Sequence, residues 1–210
     1  MDNKRAQKIL DELKKMHPDA GCELNYGTPF ELLVAVILSA QCTDKRVNEV
    51  TKDLFKKYNT PEQYATMTPA ELEPLIHSCG FFHNKAVNII GAAKGIVDRF
   101  GGEVPKTMAE LTSLPGVGRK TASVVMTVAF DEPAMPVDTH VFRVSGRLGL
   151  SHGKNPEQVE KDLKDLYPPS DWNIVHHTLI FHGRYICKAL RPNCSECTLT
   201  EYCPYFKENN

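Results

Sequence analysis

Leu114-Pro115-Gly116-Val117-Gly118-Arg119-Lys120 separates a short helical segment, 108–112, from an apolar one, 121–130. Two glycines one residue apart predict a tight hairpin between two helices. The spacing fits neither a P-loop nor a dinucleotide-binding fingerprint. Amide N–H groups at such a hairpin, and at the start of the helix that follows it, can bind a phosphate without a positive side chain. An ordinary turn between two helices is the alternative.

Helix-start signals recur on both sides of the hairpin. In four places a capping side chain is followed by proline and then by an acid or amide at the third helical position: Thr28-Pro29-Phe30-Glu31, Thr60-Pro61-Glu62-Gln63, Thr68-Pro69-Ala70-Glu71 and Asn155-Pro156-Glu157-Gln158. Thr107-Met108-Ala109-Glu110 repeats the pattern without the proline. Because no convincing alternating strand pattern accompanies them, we expect an all-α fold with about ten helices joined by short loops.

The overall composition is that of a globular protein and gives no general attraction to nucleic acid or to an acidic membrane. The 210 residues contain 25 Lys and Arg against 26 Asp and Glu, and 41% are hydrophobic. No apolar run reaches the roughly 20 residues that span a bilayer. The amphipathic N-terminus carries acids, unlike a secretory or transit peptide, so we expect a cytoplasmic protein that does not associate with membranes.

The charge is nevertheless uneven along the chain. The segment 173–195 contains no Asp or Glu, while Arg184, Lys188 and Arg191 lie within it together with three histidines, His176, His177 and His182. This pattern predicts a local basic face. The alternative is a helix whose positive charge only shields the nearby cysteine thiolates.

Four of the seven cysteines fall close together near the C-terminus, at Cys187, Cys194, Cys197 and Cys203. Four thiolates on one short loop can converge on a structural zinc ion or on an iron–sulfur cluster. Zinc sites usually contain two close pairs of ligands, whereas only one Cys-x-x-Cys pair is present here. The wider spacing of the other two cysteines favours an iron–sulfur cluster over zinc.

Lys120 and Asp138 are the two residues that could carry out chemistry. A lysine at the start of an apolar helix is commonly exposed to solvent, but in a cleft its amine can act as a nucleophile that forms a Schiff base. Asp138 follows a proline and precedes an apolar periodic run, so it is predicted to be a helix N-cap. A capping carboxylate can also stabilise developing positive charge or accept a proton. The residues alone leave these alternatives open.

Three motifs together resemble the endonuclease III family, bacterial DNA glycosylases with AP-lyase activity in the helix-hairpin-helix superfamily. They are Leu114 to Ala122 (LPGVGRKTA), Pro136 to Arg143 (PVDTHVFR) and the loop with four cysteines. The segments Leu38 to Asp44 and Gly183 to Cys187 are also similar to the family. The resemblance therefore extends along most of the chain.

The resemblance implies two all-α domains with the active site in a cleft between them. A six-helix domain with the helix-hairpin-helix motif would span 22–132, and a [4Fe–4S] cluster domain would combine 1–21 with 133–210. It further implies a monomeric enzyme of base excision repair, located at the nucleoid in the cytoplasm. Its substrate would be double-stranded DNA with oxidised pyrimidines or abasic sites.

The resemblance also implies roles for individual residues. Lys120 corresponds to the catalytic lysine, which attacks the deoxyribose, expels the base and drives β-elimination, and Asp138 corresponds to the essential carboxylate. Cys187, Cys194, Cys197 and Cys203 correspond to the ligands of the [4Fe–4S] cluster. Residues expected to contact DNA are Gln41, Phe81, Leu114, Gly116, Val117, Gly118, His140, Arg184, Lys188 and Arg191.

Gln41 and Phe81 stand where the family inserts side chains into the duplex to fill the gap left by the extruded base. The family commonly has leucine where this chain has Phe81. The alternative for Phe81 and its neighbour Phe82 is a pair of core aromatics.

Three other functions compete with this prediction. An adenine-mismatch glycosylase would share the fold and the cluster, but that family lacks a lysine at the position of Lys120. A non-catalytic module could use the hairpin and cluster only to bind DNA or to sense redox state, although it would not need both Lys120 and Asp138. A zinc-stabilised helical protein unrelated to DNA is the third alternative.

Overall fold

A computed structural model of the chain describes residues 3–209, and helices account for all of its regular structure. The α-helices are α1 (Asn3–Met16), α2 (Pro29–Ser39), α3 (Asp44–Lys57), α4 (Pro61–Ala65), α5 (Pro69–Ile76), α6 (Phe82–Phe100), α7 (Met108–Thr112), α8 (Arg119–Phe130), α9 (Thr139–Arg147), α10 (Pro156–Leu166), α11 (Trp172–Phe181) and α12 (Pro204–Asn209). A turn of π-helix, His182–Ile186, follows α11 directly. None of the helices within 3–209 is long and apolar enough to cross a membrane.

The all-α prediction is confirmed, and so are the predicted helix starts. Thr28, Thr107 and Asn155 each accept a hydrogen bond from the amide of the third helical residue. Thr60 and Thr68 form reciprocal capping boxes with the side chains that follow them. Residues 3–209 form twelve α-helices rather than about ten, and three of them are short: α4 and α7 have five residues each and α12 has six.

The first of two compact units comprises 23–132 and contains α2 to α8. Its centre is α2, in which the nine residues 30–38 are all buried, so this helix is surrounded by other helices rather than presenting one apolar stripe. The hairpin before α8 packs closely on α6. A Cβ atom added to Gly95 would lie 2.8 Å from Leu114 Cδ2, and one added to Gly91 would lie 3.0 Å from Pro115 Cγ. Glycine on α6 therefore permits this approach.

The second unit combines 3–22 with 133–209 and contains α1 and α9 to α12. Its core joins the apolar face of α1 to side chains of α9, α10 and α11, including Leu10, Val144 and Leu179. A hydrogen bond of 3.0 Å from Tyr167 Oη to the carbonyl of Ala6 links residues that are far apart in sequence. The two ends of the chain thus build one hydrophobic core.

Candidate functional site

The hairpin between α7 and α8 buries Leu114 and Val117 and exposes both of its glycines. Leu114 and Val117 are 3% and 5% exposed, and the amide of Val117 donates to the carbonyl of Leu114. Gly116 has φ +72°, and a Cβ atom there would lie 2.5 Å from Asn88 Cβ. Only glycine satisfies both conditions. The amide of Leu114 also donates, to the carbonyl of Leu111, and Pro115 has no amide hydrogen. The hairpin therefore leaves the amides of Gly116 and Gly118 for a ligand.

Lys120 is the second residue of α8 and is exposed, immediately after the hairpin. Gly118 is the N-cap, and the amide of Ala122 donates to its carbonyl over 2.9 Å. The amides of Lys120 and Thr121 precede this first intrahelical bond, so they belong to the electropositive end of the helix. The structure therefore places a primary amine beside a backbone that suits a phosphate group.

Asp138 is the N-cap of α9, as predicted. Its Oδ1 atom accepts hydrogen bonds of 2.8 Å from the amides of both His140 and Val141. The carboxylate is half-buried. Because both capping bonds use Oδ1, Oδ2 is not part of the cap. The same residue can therefore fix the start of α9 and present a carboxylate oxygen to a positive charge or a proton.

Gln41 and Phe81 are exposed loop residues in the unit 23–132, and both adopt left-handed backbone conformations. Gln41 has φ 54° and Phe81 has φ 48°. Phe81 is 62% exposed, so the alternative prediction that it is a core aromatic is wrong, because the loop turns its ring outward. Its half-buried neighbour Phe82 packs against the ring of His77, with centroids 4.4 Å apart.

The four clustered cysteines line one cavity in the second unit. Within residues 3–209, no three His, Cys, Asp or Glu side chains converge on a point that would hold one metal ion. Burial raises the pKa of Cys197 to about 11, so thiolates in this cavity need a compensating positive charge.

Two arginines on α9 hold the segment that carries Cys187, and neither was among the predicted site residues. Arg147 Nη1 donates to Cys187 Sγ over 3.3 Å and to the carbonyl of Lys188 over 2.7 Å. Arg143 donates to the carbonyls of Gly183 and Cys187. Arg143 and Arg147 are four residues apart, so both lie on one face of α9. This spacing is the feature of the sequence that could have indicated a shared role.

The basic face is narrower than the sequence indicated. Lys188 and Arg191 are exposed, whereas Arg184 is half-buried, and burial lowers its pKa. Burial also lowers the pKa of His177 to about 4, so this side chain is neutral at pH 7.

The other two histidines of the segment also differ from the prediction. His176 and His182 are 3% and 1% exposed, so neither forms part of a surface. The expectation that the histidines contribute to the basic face is therefore wrong, because helix α11 and the π-turn bury their rings. His140 is half-buried, and its Nδ1 lies 3.2 Å from Arg143 Nη2.

The chain is similar to known DNA repair proteins over most of its length. Residues 34–169 match the HhH-GPD superfamily of base excision DNA repair proteins. Endonuclease III of Bacillus subtilis is 53% identical over 201 residues, which cover 95% of this chain and 92% of that protein. The chain belongs to the endonuclease III family. The endonuclease III of Synechocystis sp. shows the same identity and the same coverage.

A solved structure from the endonuclease III family agrees in fold over nearly all of the chain. It is a trapped endonuclease III–DNA covalent intermediate, an estranged-adenine complex, and it matches with a TM-score of 0.94 and 50% sequence identity. The match covers 99% of this chain and 98% of the other. Together with the family match, it shows that the chain is an enzyme, a DNA glycosylase of base excision repair.

Proposed function

We propose that this enzyme removes oxidised pyrimidines from double-stranded DNA and cleaves the strand at abasic sites through a Schiff base on Lys120. The observation that carries the proposal is the position of Lys120, an exposed amine on the first turn of α8, directly after a phosphate-compatible hairpin. The related endonuclease III that has been trapped as a covalent DNA intermediate supports an amine nucleophile. A monomer is sufficient for this chemistry.

The reaction begins when the neutral amine of Lys120 attacks the anomeric carbon of the damaged nucleotide. A carbon–nitrogen bond forms, and the glycosidic bond breaks with its electron pair leaving on the base, which then takes up a proton. Departure of the base leaves positive charge on the sugar, and the Asp138 carboxylate stabilises it. The attached amine then loses a proton, and the C1′–O4′ bond breaks with its electron pair going to O4′, which is protonated, so that the opened sugar is a Schiff base on Lys120. Loss of a proton from C2′ of this Schiff base expels the 3′ phosphate by β-elimination.

The DNA contacts divide into two groups. The amides of Gly116 and Gly118 bind a backbone phosphate, since those of Leu114 and Val117 already donate to backbone carbonyls. Lys188 and Arg191 add positive charge on an exposed surface. Gln41 and Phe81 fill the gap left by the extruded base. Arg184 and His140 are further contacts, made by half-buried side chains.

Cys187, Cys194, Cys197 and Cys203 would hold a [4Fe–4S] cluster. Their arrangement around a cavity supports this assignment, as does the guanidinium of Arg147 beside Cys187 Sγ. When bound, the cluster supplies positively charged iron that keeps the buried thiolates deprotonated and ties the loop 187–203 together. The loop itself presents the side chains of Lys188 and Arg191 to solvent. We place the enzyme at the nucleoid in the cytoplasm.

Borohydride trapping tests the proposed function. In the presence of borohydride, the wild-type protein should become covalently attached to duplex DNA containing an abasic site, because reduction of the Schiff base makes it permanent. Lys120→Met should abolish the adduct, whereas the matched variant Lys57→Met, which removes an exposed lysine from the end of α3, should leave it unchanged. Strand cleavage by the wild type without a trappable adduct would contradict the mechanism.

The same incision assay identifies the substrate. Duplexes containing oxidised pyrimidines should be cut faster than duplexes containing oxidised purines or A·G mismatches. Preferential excision of adenine from the mismatch would instead establish the adenine-mismatch alternative.

A further inference from the structure

Lys85, near the start of α6, is a buried lysine that the proposed chemistry does not use. Its side chain is 4% exposed, which is rare for a lysine. The Nζ atom donates hydrogen bonds of 2.8 Å to the carbonyl of Leu38 and 2.9 Å to the carbonyl of Cys79. These two carbonyls are 41 positions apart in sequence, so the ammonium group joins two separate parts of the unit 23–132.

Each of the two carbonyls lies at the end of a helical segment. Leu38 is in the last turn of α2, where carbonyls lack intrahelical donors. Its neighbours are satisfied locally: the carbonyls of Val36, Ile37 and Ser39 accept from Ser39 Oγ and from the amides of Ala40 and Cys42. Cys79 ends a short 3-10 turn, 77–79. A positive charge at helix C-termini is electrostatically favourable. The single ammonium group of Lys85 therefore satisfies a carbonyl at each of the two helix ends.

The two ends joined by Lys85 lead directly to the exposed residues Gln41 and Phe81. Gln41 follows Leu38 by three positions, and Phe81 follows Cys79 by two. Each has a positive φ, which is strained for a residue with a Cβ atom, so the surroundings must hold it in place.

We propose that Lys85 is a positioning residue that fixes the separation of Gln41 and Phe81, so that the two side chains enter the duplex as one unit. This inference rests on the proposed function, in which both residues fill the gap left by the extruded base. Lys85 is buried below the loops, so it acts through their backbone and touches neither the DNA nor the reacting sugar. A gap of one nucleotide accepts two side chains only when their spacing is fixed.

The variant Lys85→Met keeps the apolar stem and removes the ammonium. We expect excision of an oxidised pyrimidine from duplex DNA to fall on the order of ten- to a hundredfold, because displaced side chains no longer stabilise the extruded state. Fluorescence of 2-aminopurine opposite the lesion should report less extrusion. Borohydride trapping on single-stranded abasic DNA needs no extrusion and should stay within about twofold of the wild type. Lys94→Met, an exposed lysine on the same helix, serves as the control for both assays.

A double-mutant cycle separates positioning from a general structural effect. In a Phe81→Ala background, Lys85→Met should lower duplex excision far less than it does alone, because the side chain through which it acts is gone. An equal loss in both backgrounds, or an equal loss on single-stranded DNA, would overturn the proposal.

If Lys85→Met fails to fold, the variants Gln41→Ala and Phe81→Ala form a second cycle with Lys85 intact. Non-additive losses of extrusion are expected for two residues held as a unit, and strict additivity would overturn the proposal. The proposed function fails separately, since a wild-type protein that forms no adduct with abasic DNA would refute the Schiff base before any Lys85 variant is compared.

Discussion

Single residues in this enzyme differ in function because their surroundings differ, and the seven cysteines show this most directly. Cys187, Cys194, Cys197 and Cys203 surround one cavity, and Arg147 donates to the first of them. Cys22 belongs to the same unit but does not line the cavity. Residue type alone therefore does not define a ligand, and the shared cavity separates the four cysteines from the others.

The four cavity cysteines should each be required to retain iron. Cys194→Ala should reduce the iron content well below the roughly four atoms per chain expected of the wild type, together with the visible absorbance of the cluster. Cys22→Ala should retain both, because that thiol lies outside the cavity. Elemental analysis and absorption spectroscopy of the purified proteins provide the measurement. A wild-type protein that contains zinc and no iron would contradict the assignment.

At the level of elements, the hairpin before α8 depends on two glycines for different reasons. Gly116 needs its positive φ and has Asn88 against it. Gly118 has an ordinary φ of −81°, and a Cβ atom there would meet nothing within 4 Å. The first glycine therefore serves the fold, while the second leaves the backbone open for a ligand to approach.

Two substitutions should separate these roles. Gly116→Ala should lower the free energy of unfolding by at least about 1–2 kcal/mol, since alanine is strained at this φ and crowds Asn88. Gly118→Ala should leave stability within about 0.5 kcal/mol and weaken DNA binding, because its methyl group obstructs the phosphate. Urea unfolding and fluorescence anisotropy with a duplex give the two readouts. Unchanged affinity in Gly118→Ala would argue against phosphate binding at the hairpin.

Local signals predicted the elements well, whereas tertiary contacts had to come from the structure. Caps such as Thr28 and Asp138 were predictable because the side chain bonds an amide only two or three residues away. Lys85 was not predictable, since a lysine in an amphipathic helix normally faces solvent and its two acceptors lie on other segments. The prediction that the histidines of α11 are part of a basic face was wrong for the same reason. Tertiary contacts bury these side chains, and burial favours the neutral imidazole.

For the whole molecule, the distribution of charge matters more than its sum. The net charge is −1, yet the segment 173–195 carries no acid, and the hairpin offers amides that need no charge at all. Acidic side chains such as Glu62 and Glu71 belong to α4 and α5. A nearly neutral protein can therefore bind a polyanion through a restricted surface.

Binding to duplex DNA should weaken steeply with salt. A plot of the logarithm of the association constant against the logarithm of salt concentration should be linear with a negative slope, because phosphate contacts release counterions. Lys188→Ala should reduce the magnitude of that slope by about 1, and Lys57→Ala, an exposed lysine on α3, should not change it. Fluorescence anisotropy over a salt series measures both. Affinity independent of salt would contradict the interface.

One compact unit is a continuous segment of the chain, whereas the other is built from two separate segments. This difference sets an order of folding during synthesis. The unit 23–132 is continuous, so its helices can pack as soon as they leave the ribosome. The other unit needs α1 and the last third of the chain, as the hydrogen bonds from Arg5 to the carbonyls of Leu148 and Tyr202 show. Helix α1 therefore cannot complete its packing until Tyr202 has been synthesised, and the cysteine cavity cannot form before Cys203.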